Sequence, residues 1–320
     1  MPNLLKSTAP GLAALAALGL LLSTVATAAD SPLPAPVQVY DHTWAWIGPY
    51  GPPSKENRGF RMNLGFVVGK EAVAVIDTGY GDPMAKAMLA HIAEVTDRPL
   101  RYAINTNSQP HRVLGNAVMK AAGAEVIAAS EAGPRITGQG AEMAATAEGV
   151  LGIEAGGIQP PGTPDRLIEG PVTLDLGGVT LEVVPVGNAH TEGSLIVHVP
   201  QDSVVFAGDV LYGGRLLAVL PVSHTGGWID AFKRLRDFGD ASFVPGHGQV
   251  GPLSAFERPT LDYLTALKTH MDAAAEEGTG LQDAIEGLDQ SPWQGLADFE
   301  ALSGRNAHQT YLEREAAAFE

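Results

Sequence analysis

Between residues 63 and 129 the chain alternates short apolar runs with segments of helical period. This rhythm restricts the fold more than any other feature. The stretch NLGFVVGKEAVAVIDTG (63–79) reads as two apolar strands joined by a tight turn at Gly69-Lys70. Asp82 to Val95 has helical spacing, with Asp82 as the expected N-cap and Pro83 at the first helical position. LRYAIN (100–105) is a short buried strand, Val113 to Ala121 fits a helix, and AEVIAA (124–129) is a further strand. A strand–helix–strand rhythm of this kind implies a layered α/β fold.

The flanking segments extend the pattern. VQVYDHTWAWIG (37–48) alternates and reads as a strand pair. Residues 130–165 are rich in Gly, Ala and Glu, and we expect one helix over about 139–151 followed by a loose surface excursion. From residue 171 strands return as VTLDLGG, VTLEVVPV, SLIVHVP and SVVFAGD, each closed by Gly, Pro or Asp. Gly227 to Phe238 reads as a helix, and ASFVPGHG (241–248) as a strand running into a loop. Ser254 with Glu257 forms a capping box for a helix to about Glu277, and the tail is helical. Both halves follow strands with helices, so we expect one domain of two sheets over 37–253, with a C-terminal helical extension (254–320) packed on it.

The first thirty residues have a different logic. Lys6 supplies a positive start, Gly11 to Leu22 an apolar run, and Ala26-Thr27-Ala28 a small-x-small cleavage pattern. The apolar run is short of the ~20 residues that a membrane span needs, and no cationic stop follows it. We therefore expect a signal peptide over 1–28, a periplasmic or secreted product, and no membrane span after cleavage. The formal charge of −16, with 20 Lys+Arg against 36 Asp+Glu, argues against nucleic acid and anionic membranes as partners. A small molecule is the expected partner. The chain has no Cys, so any metal must be held by His, carboxylate or amide.

Five polar segments close apolar strands: Asp77-Thr78-Gly79, residues 105–112, residues 187–191, residues 207–209 and residues 245–248. Loops at strand ends are where α/β proteins place function. Three of the segments end in a potential ligand beside Gly: His190, Asp209 and His247. A lone histidine is usually structural or solvated, and we assign His42, His91, His198, His270 and His308 that role. His224 reads as an exposed loop residue. Ser108, Asn188 and Thr191 read as turn-formers. Tyr212 and Trp228 fit a pocket wall or the aromatic core equally.

The motifs VIDTG, NTNSQPHRVLGN, AHTEGSLIV, VVFAGD and VPGHG occur in the order and approximate spacing of the metallo-β-lactamase-fold hydrolase superfamily. The resemblance covers roughly Asn63 to Gly248. The exported chain and the tail around SGRNAHQTYLEREAA look similar to exported, quinoprotein-associated zinc metallohydrolases. It implies a four-layer αβ/βα sandwich with zinc bound where strand-end loops meet. It also implies hydrolysis of an ester, amide, lactone or thioester by metal-activated water. The family loop usually reads Thr-His-x-His-x-Asp-His. Thr106, Pro110 and Leu114-Gly115-Asn116 fix the register without a gap. Asn107 and Gln109 then stand where the family has its first two histidines, His111 where it has Asp, and Arg112 where it has the last His.

The resemblance implies that His190, Asp209 and His247 are retained ligands and that Asp77 braces the loops by hydrogen bonds. Amide oxygens are weak zinc donors, so a site on Asn107, Gln109 and His190 should bind poorly. His111, Asp209 and His247 make a legitimate catalytic set for one zinc ion at most. His111 and Asp209 are also the candidate catalytic pair, and Arg112 the candidate ligand for a substrate anion. The competing reading is a non-catalytic binding or accessory protein that has lost its zinc. A third is metal-free acid–base chemistry through His111 and Asp209.

Overall fold

Runs of Val, Ile, Phe and Ala become the strands of two sheets in the computed structural model, which describes residues 31–317. The expected signal peptide (1–28) lies outside the described residues. The first sheet holds β1 (Val37–Gln38), β2 (Thr43–Trp46), β3 (Leu64–Val68), β4 (Val73–Ile76), β5 (Leu100–Ile104), β6 (Glu125–Ala129) and β7 (Arg166–Ile168), in that order. Pairings from β1 to β4 are antiparallel and those from β4 to β7 parallel. The second sheet runs β12 (Ser242–His247), β11 (Val204–Tyr212), β10 (Ser194–Val199), β9 (Thr180–Gly187), β8 (Val172–Asp175). Only its β11–β12 pair is parallel.

The two-residue period of each strand sorts side chains into separate cores. Val67, Ala74, Ile76 and Ile104 of the first sheet meet Leu195, Val197, Phe206 and Val244 of the second. The sheets approach closely at Gly65, where a Cβ would lie 2.1 Å from the Phe206 ring. On the outer face of the first sheet, Phe66, Val73 and Val75 pack on α1 (Asp82–Val95), α3 (Asn116–Ala121) and α4 (Gly133–Leu151) through Met84, Met119 and Ile136. On the outer face of the second, Ile196, Val205 and Phe243 pack on α5 (Thr225–Arg234), α6 (Tyr263–Glu277) and α8 (Phe299–Ala317) through Trp228, Leu267 and Tyr311. The result is the expected four layers, helix–sheet–sheet–helix, with extra C-terminal helices.

Five local expectations are corrected. The loop helix is split: α2 (Pro110–Val113) stops before Gly115, and α3 starts at Asn116. Gly115 sits too close to the Thr78 carbonyl for any side chain, 2.0 Å from a Cβ, so the chain turns there. Asp82 does not cap α1; its carboxylate accepts from the Gln159 backbone N–H (2.9 Å) and side-chain amide (3.0 Å). The 152–165 excursion is therefore anchored rather than loose, and Glu148 adds two more bonds, from Gly156 and Ile158. The helix before it starts six residues early, at Gly133, because Pro134 suits a first turn.

Ser254 makes no cap. The chain passes through a 3₁₀ turn and a π-helical turn (Glu257–Asp262) before α6. Pro259 lacks the N–H that a regular helix would use. The widened turn lets the Thr260 hydroxyl accept from the Tyr212 N–H (3.0 Å) and donate to the Tyr212 carbonyl (2.9 Å). This clamps the end of β11. The fold is completed by α7 (Leu281–Gly287). Among the described residues no helix is long and apolar enough to cross a membrane.

Candidate metal centre

One edge of the two sheets gathers the polar strand ends. Asp77 follows β4, the 105–112 loop follows β5, His190 follows β9, and His247 ends β12. Asp209 lies inside β11 rather than in a loop after it, because the strand runs on to Tyr212 through irregular pairing at Gly208. Asp77 holds φ at 61°, a conformation rare for any residue but Gly. In that pose its carboxylate accepts from the Thr106 N–H (2.7 Å) and hydroxyl (2.9 Å).

Arg112 organises the centre. Its side chain is fully buried, and all three nitrogens are used. Nε donates to Asp209 Oδ2 (3.0 Å) and Nη2 to Asp209 Oδ1 (2.7 Å), a two-pronged pairing. Nη1 donates to Asp77 Oδ2 (2.9 Å) and the Asn63 carbonyl (2.7 Å), and Nη2 also reaches the Gly246 carbonyl (3.2 Å). Gly246 must be glycine, since a Cβ would lie 2.3 Å from Asp209 Oδ1. Burial would raise the Asp209 carboxyl, but the charge of Arg112 and the flanking imidazoles hold it well below the usual range. Burial pushes Asp77 up to about 6 in spite of Arg112 and Thr106, so it too is ionised at neutral pH. Arg112 therefore faces two carboxylates and not the cavity. The expectation that it contacts a substrate anion is corrected by this saturation.

The amide of Asn107 is also spent. Its nitrogen donates to Asp209 Oδ2 (2.8 Å), and its oxygen accepts from the Gln109 N–H (2.8 Å). It adds a donor beside Asp209. Gln109 lines the cavity described below.

His111, Asp209 and His247 offer ligand atoms within 4.8 Å of one another, all buried. His247 Nδ1 lies 2.8 Å from the Arg61 carbonyl, which can only accept, and 3.5 Å from Arg215 Nη1, which can only donate; the much shorter contact assigns the hydrogen to Nδ1. Burial depresses the His247 imidazole well below its ordinary value. The ring is then neutral, and its bare Nε2 faces an ionised oxygen, Asp209 Oδ1, at 3.4 Å. Two acceptors facing each other call for a cation between them. His111 Nε2 stands 3.3 Å from the other oxygen, and burial followed by Arg112 lowers that ring to about 3. Two neutral imidazoles and a carboxylate fit one divalent ion that accepts nitrogen ligands. They do not fit two, because Arg112 and Asn107 occupy the remaining lone pairs of Asp209.

His190 stands outside that group of three. It is buried against the edge of Trp228 (ring centroids 4.8 Å) and near Tyr212 (5.8 Å), and neither ring nitrogen has a hydrogen-bond partner. Burial lowers it to about 4. His111, His190, His247 and Tyr212 all line a cavity of about 290 Å³. Its other lining includes apolar Val219, Leu220 and Leu302 and charged Arg61, Arg215, Arg305 and Asp298.

Sequence reading missed three of these residues. Asn63 is a hub: it accepts from the Gly48 N–H (3.0 Å) and donates to the Pro245 and Gly248 carbonyls (2.8 Å each), which fixes the His247 loop. Arg61 and Arg215 carried no spacing signal. Ser108 bonds weakly to Thr191 (3.4 Å), and Asn188 accepts from Gly193, as turn residues do. His224 is exposed and caps α5 by accepting from the Gly227 N–H. His42, His198 and His270 are paired with Asp202, Glu182 and the Ala284 carbonyl, away from the centre.

With this geometry in hand, comparison with known proteins is informative. Residues 58–247 match the family described as Metallo-beta-lactamase superfamily. Among solved structures, a metallo-beta-lactamase from Pontibacter korlensis superposes with a TM-score of 0.55 at 22% identity, covering 72% of this chain and 98% of that one. The DIM-1 metallo-beta-lactamase does so with a TM-score of 0.54 at 17% identity, covering 73% and 98%. Among curated proteins, the acyl-coenzyme A thioesterase MBLAC2 of Gallus gallus is 32% identical over 110 residues, 33% of this chain and 39% of that protein. Its counterpart from Homo sapiens is 30% identical over 88 residues, 26% and 31% of the two chains. The matched stretch thus spans about two fifths of these relatives or less.

Proposed function

From the premise that this chain belongs to the metallo-beta-lactamase superfamily, we propose that it is a metal-dependent hydrolase with a single-ion site on His111, Asp209 and His247. The substrate is a small ester or thioester, in keeping with the thioesterase named among the relatives. Zinc is the proposed ion, and the periplasm or the exterior the proposed location. The observation that carries the reading is the convergence of His111, Asp209 and His247, whose ligand atoms lie within 4.8 Å of one another, with His247 Nε2 3.4 Å from Asp209 Oδ1.

When bound, such an ion supplies Lewis acidity toward a carbonyl and acidifies a water molecule. The chain's own groups do the rest. Arg112 keeps Asp209 ionised and immobile through two short bonds. The Arg61 carbonyl fixes the His247 tautomer, as partners behind a ligand commonly do. His190, neutral with both nitrogens free, can take a proton from water or return one to the leaving alcohol or thiol. The apolar lining of the cavity excludes water from the acyl group.

The test is turnover of short-chain esters and thioesters by zinc-supplemented protein. We expect hydrolysis that is lost in His247→Ala while circular dichroism is unchanged. Absence of turnover across the panel, with zinc bound, would refute the proposal. A non-catalytic binding protein is the second reading, favoured by Arg112 already neutralising Asp209. Export is tested by the N-terminus of the protein recovered from the periplasmic fraction, expected near Ala29.

A further inference from the structure

The charge of the cavity runs against the charge of the chain. The protein carries a formal −16, yet three arginines and one carboxylate, Asp298, line this cavity beside histidines that are neutral. Asp298 is committed to Arg215, with Oδ2 2.9 Å from Nε. Arg215 is 3% exposed and lies over the Tyr212 ring at 5.9 Å. Arg305 is exposed on α8.

Arg61 differs from both. Its backbone is fixed, since its carbonyl holds His247 Nδ1 at 2.8 Å. Its guanidinium has no hydrogen bond or salt bridge to any described residue, and its Nε is buried without a partner. Arg215 lines the same cavity. A half-buried guanidinium that shares a cavity with a second arginine, and has no acceptor among the described residues, is costly unless an anion arrives. Arg112, the most buried arginine, has every nitrogen partnered; Arg135 shares an unpartnered buried Nε with Arg61, but of the two only Arg61 lines the cavity.

We propose that the cavity binds a substrate carrying an oxyanion, carboxylate or phosphate, with Arg61 as its principal ligand and Arg215 beside it. The rest of the molecule's shape follows from the lining. Val219, Leu220 and Leu302 receive a short apolar segment, and about 290 Å³ admits a compact acyl compound rather than a whole nucleotide. Taken with the hydrolase reading, on which this part rests, the substrate is a small monoanionic ester or thioester. Arg61 binds the anion, and the carbonyl lies beside His111 and His247. Arg61 is then a specificity residue.

The experiment separates anion binding from hydrolysis. Metal-free protein is titrated calorimetrically with succinate, with inorganic phosphate and with neutral succinamide at constant ionic strength. We expect one or both anions to bind and succinamide not to. Arg61→Gln should weaken binding about ten- to a hundred-fold, the range for a hydrogen-bonded ion pair. Arg61→Lys, which keeps charge but loses the fork, should fall between. Arg236→Gln, an exposed surface arginine paired with Glu257, should bind as wild type. Succinate alone binding assigns a carboxylate substrate, and phosphate alone a phosphate. Failure of both anions, or unaltered binding in Arg61→Gln with a native melting curve, overturns the proposal. With zinc restored, Arg61→Gln should raise KM for an anionic thioester and leave that for a neutral one unchanged. Equal KM for the two in wild type would overturn this proposal and spare the hydrolase. Anion binding without any turnover would do the reverse.

Discussion

Replacing Arg112 with methionine tests how the centre is held. The side chain is fully buried, and it makes two bonds to Asp209, one to Asp77 and two to backbone carbonyls. Both carboxylates are themselves buried. Methionine roughly conserves the apolar volume, so the loss is electrostatic. Removing one partner of a buried pair costs about 3–5 kcal/mol, because the other charge is left uncompensated. Here two carboxylates are left, which puts the expectation at the upper end, about 5 kcal/mol. That is a large share of the roughly 5–15 kcal/mol that holds a domain together. The assay is urea unfolding of metal-free protein followed by tryptophan fluorescence, with the slope unchanged. Adding Asp77→Asn to Arg112→Met should return part of the loss. Arg112→Lys should lie between, since a lysine reaches only one carboxylate. A loss below about 1 kcal/mol for Arg112→Met would refute the reasoning, as surface pairs give values of that size.

Other perturbations have defined outcomes. Asn63→Ala removes the partner of one N–H and two buried carbonyls, and should cost roughly 2–3 kcal/mol by urea unfolding while weakening zinc binding through the His247 loop. Gly65→Ala drives a Cβ into Phe206 between the sheets and should cost about 1–3 kcal/mol by the same measurement. Metal-free protein should lose stability as pH falls below ~6.5. There the unfolded chain protonates three histidines that the fold keeps neutral: His190 (about 4), His111 (about 3) and His247, depressed well below its ordinary value. The slope is about 1.4 kcal/mol per pH unit for each histidine. Asp77, raised to about 6, takes its proton first in the folded state and cancels one histidine between pH 6 and its unfolded value. Midpoints from pH 7.5 to 4.5 that stay level would contradict the burial argument.

The layers were legible because strand and helix periods are local, and five ordered motifs located the edge where they meet. The register of the 105–116 loop was legible from its flanks, Thr106, Pro110 and Gly115. The fate of Arg112 was not. Its partners lie 35 and 97 residues away, and only the fold brings Asp77 and Asp209 to opposite sides of one guanidinium. Asn63 and Arg61 precede a strand singly, with no spacing to mark them, and their partners at 245–248 come from the other sheet. The local expectations that failed did so partly for local reasons, at Pro134 and Pro259, and partly for tertiary ones. Asp82 and Glu148 were drawn to the 156–159 segment, and Thr260 to Tyr212.

The central claim is that Arg112 and Asn107 saturate Asp209 and leave one site on His111, Asp209 and His247. Metal content of protein purified without chelator and equilibrated with zinc tests it most directly. We predict one zinc per chain, lost in His247→Ala and in His111→Ala and kept in Asn107→Ala. Two zinc ions per chain, or none in the folded wild type, would contradict it.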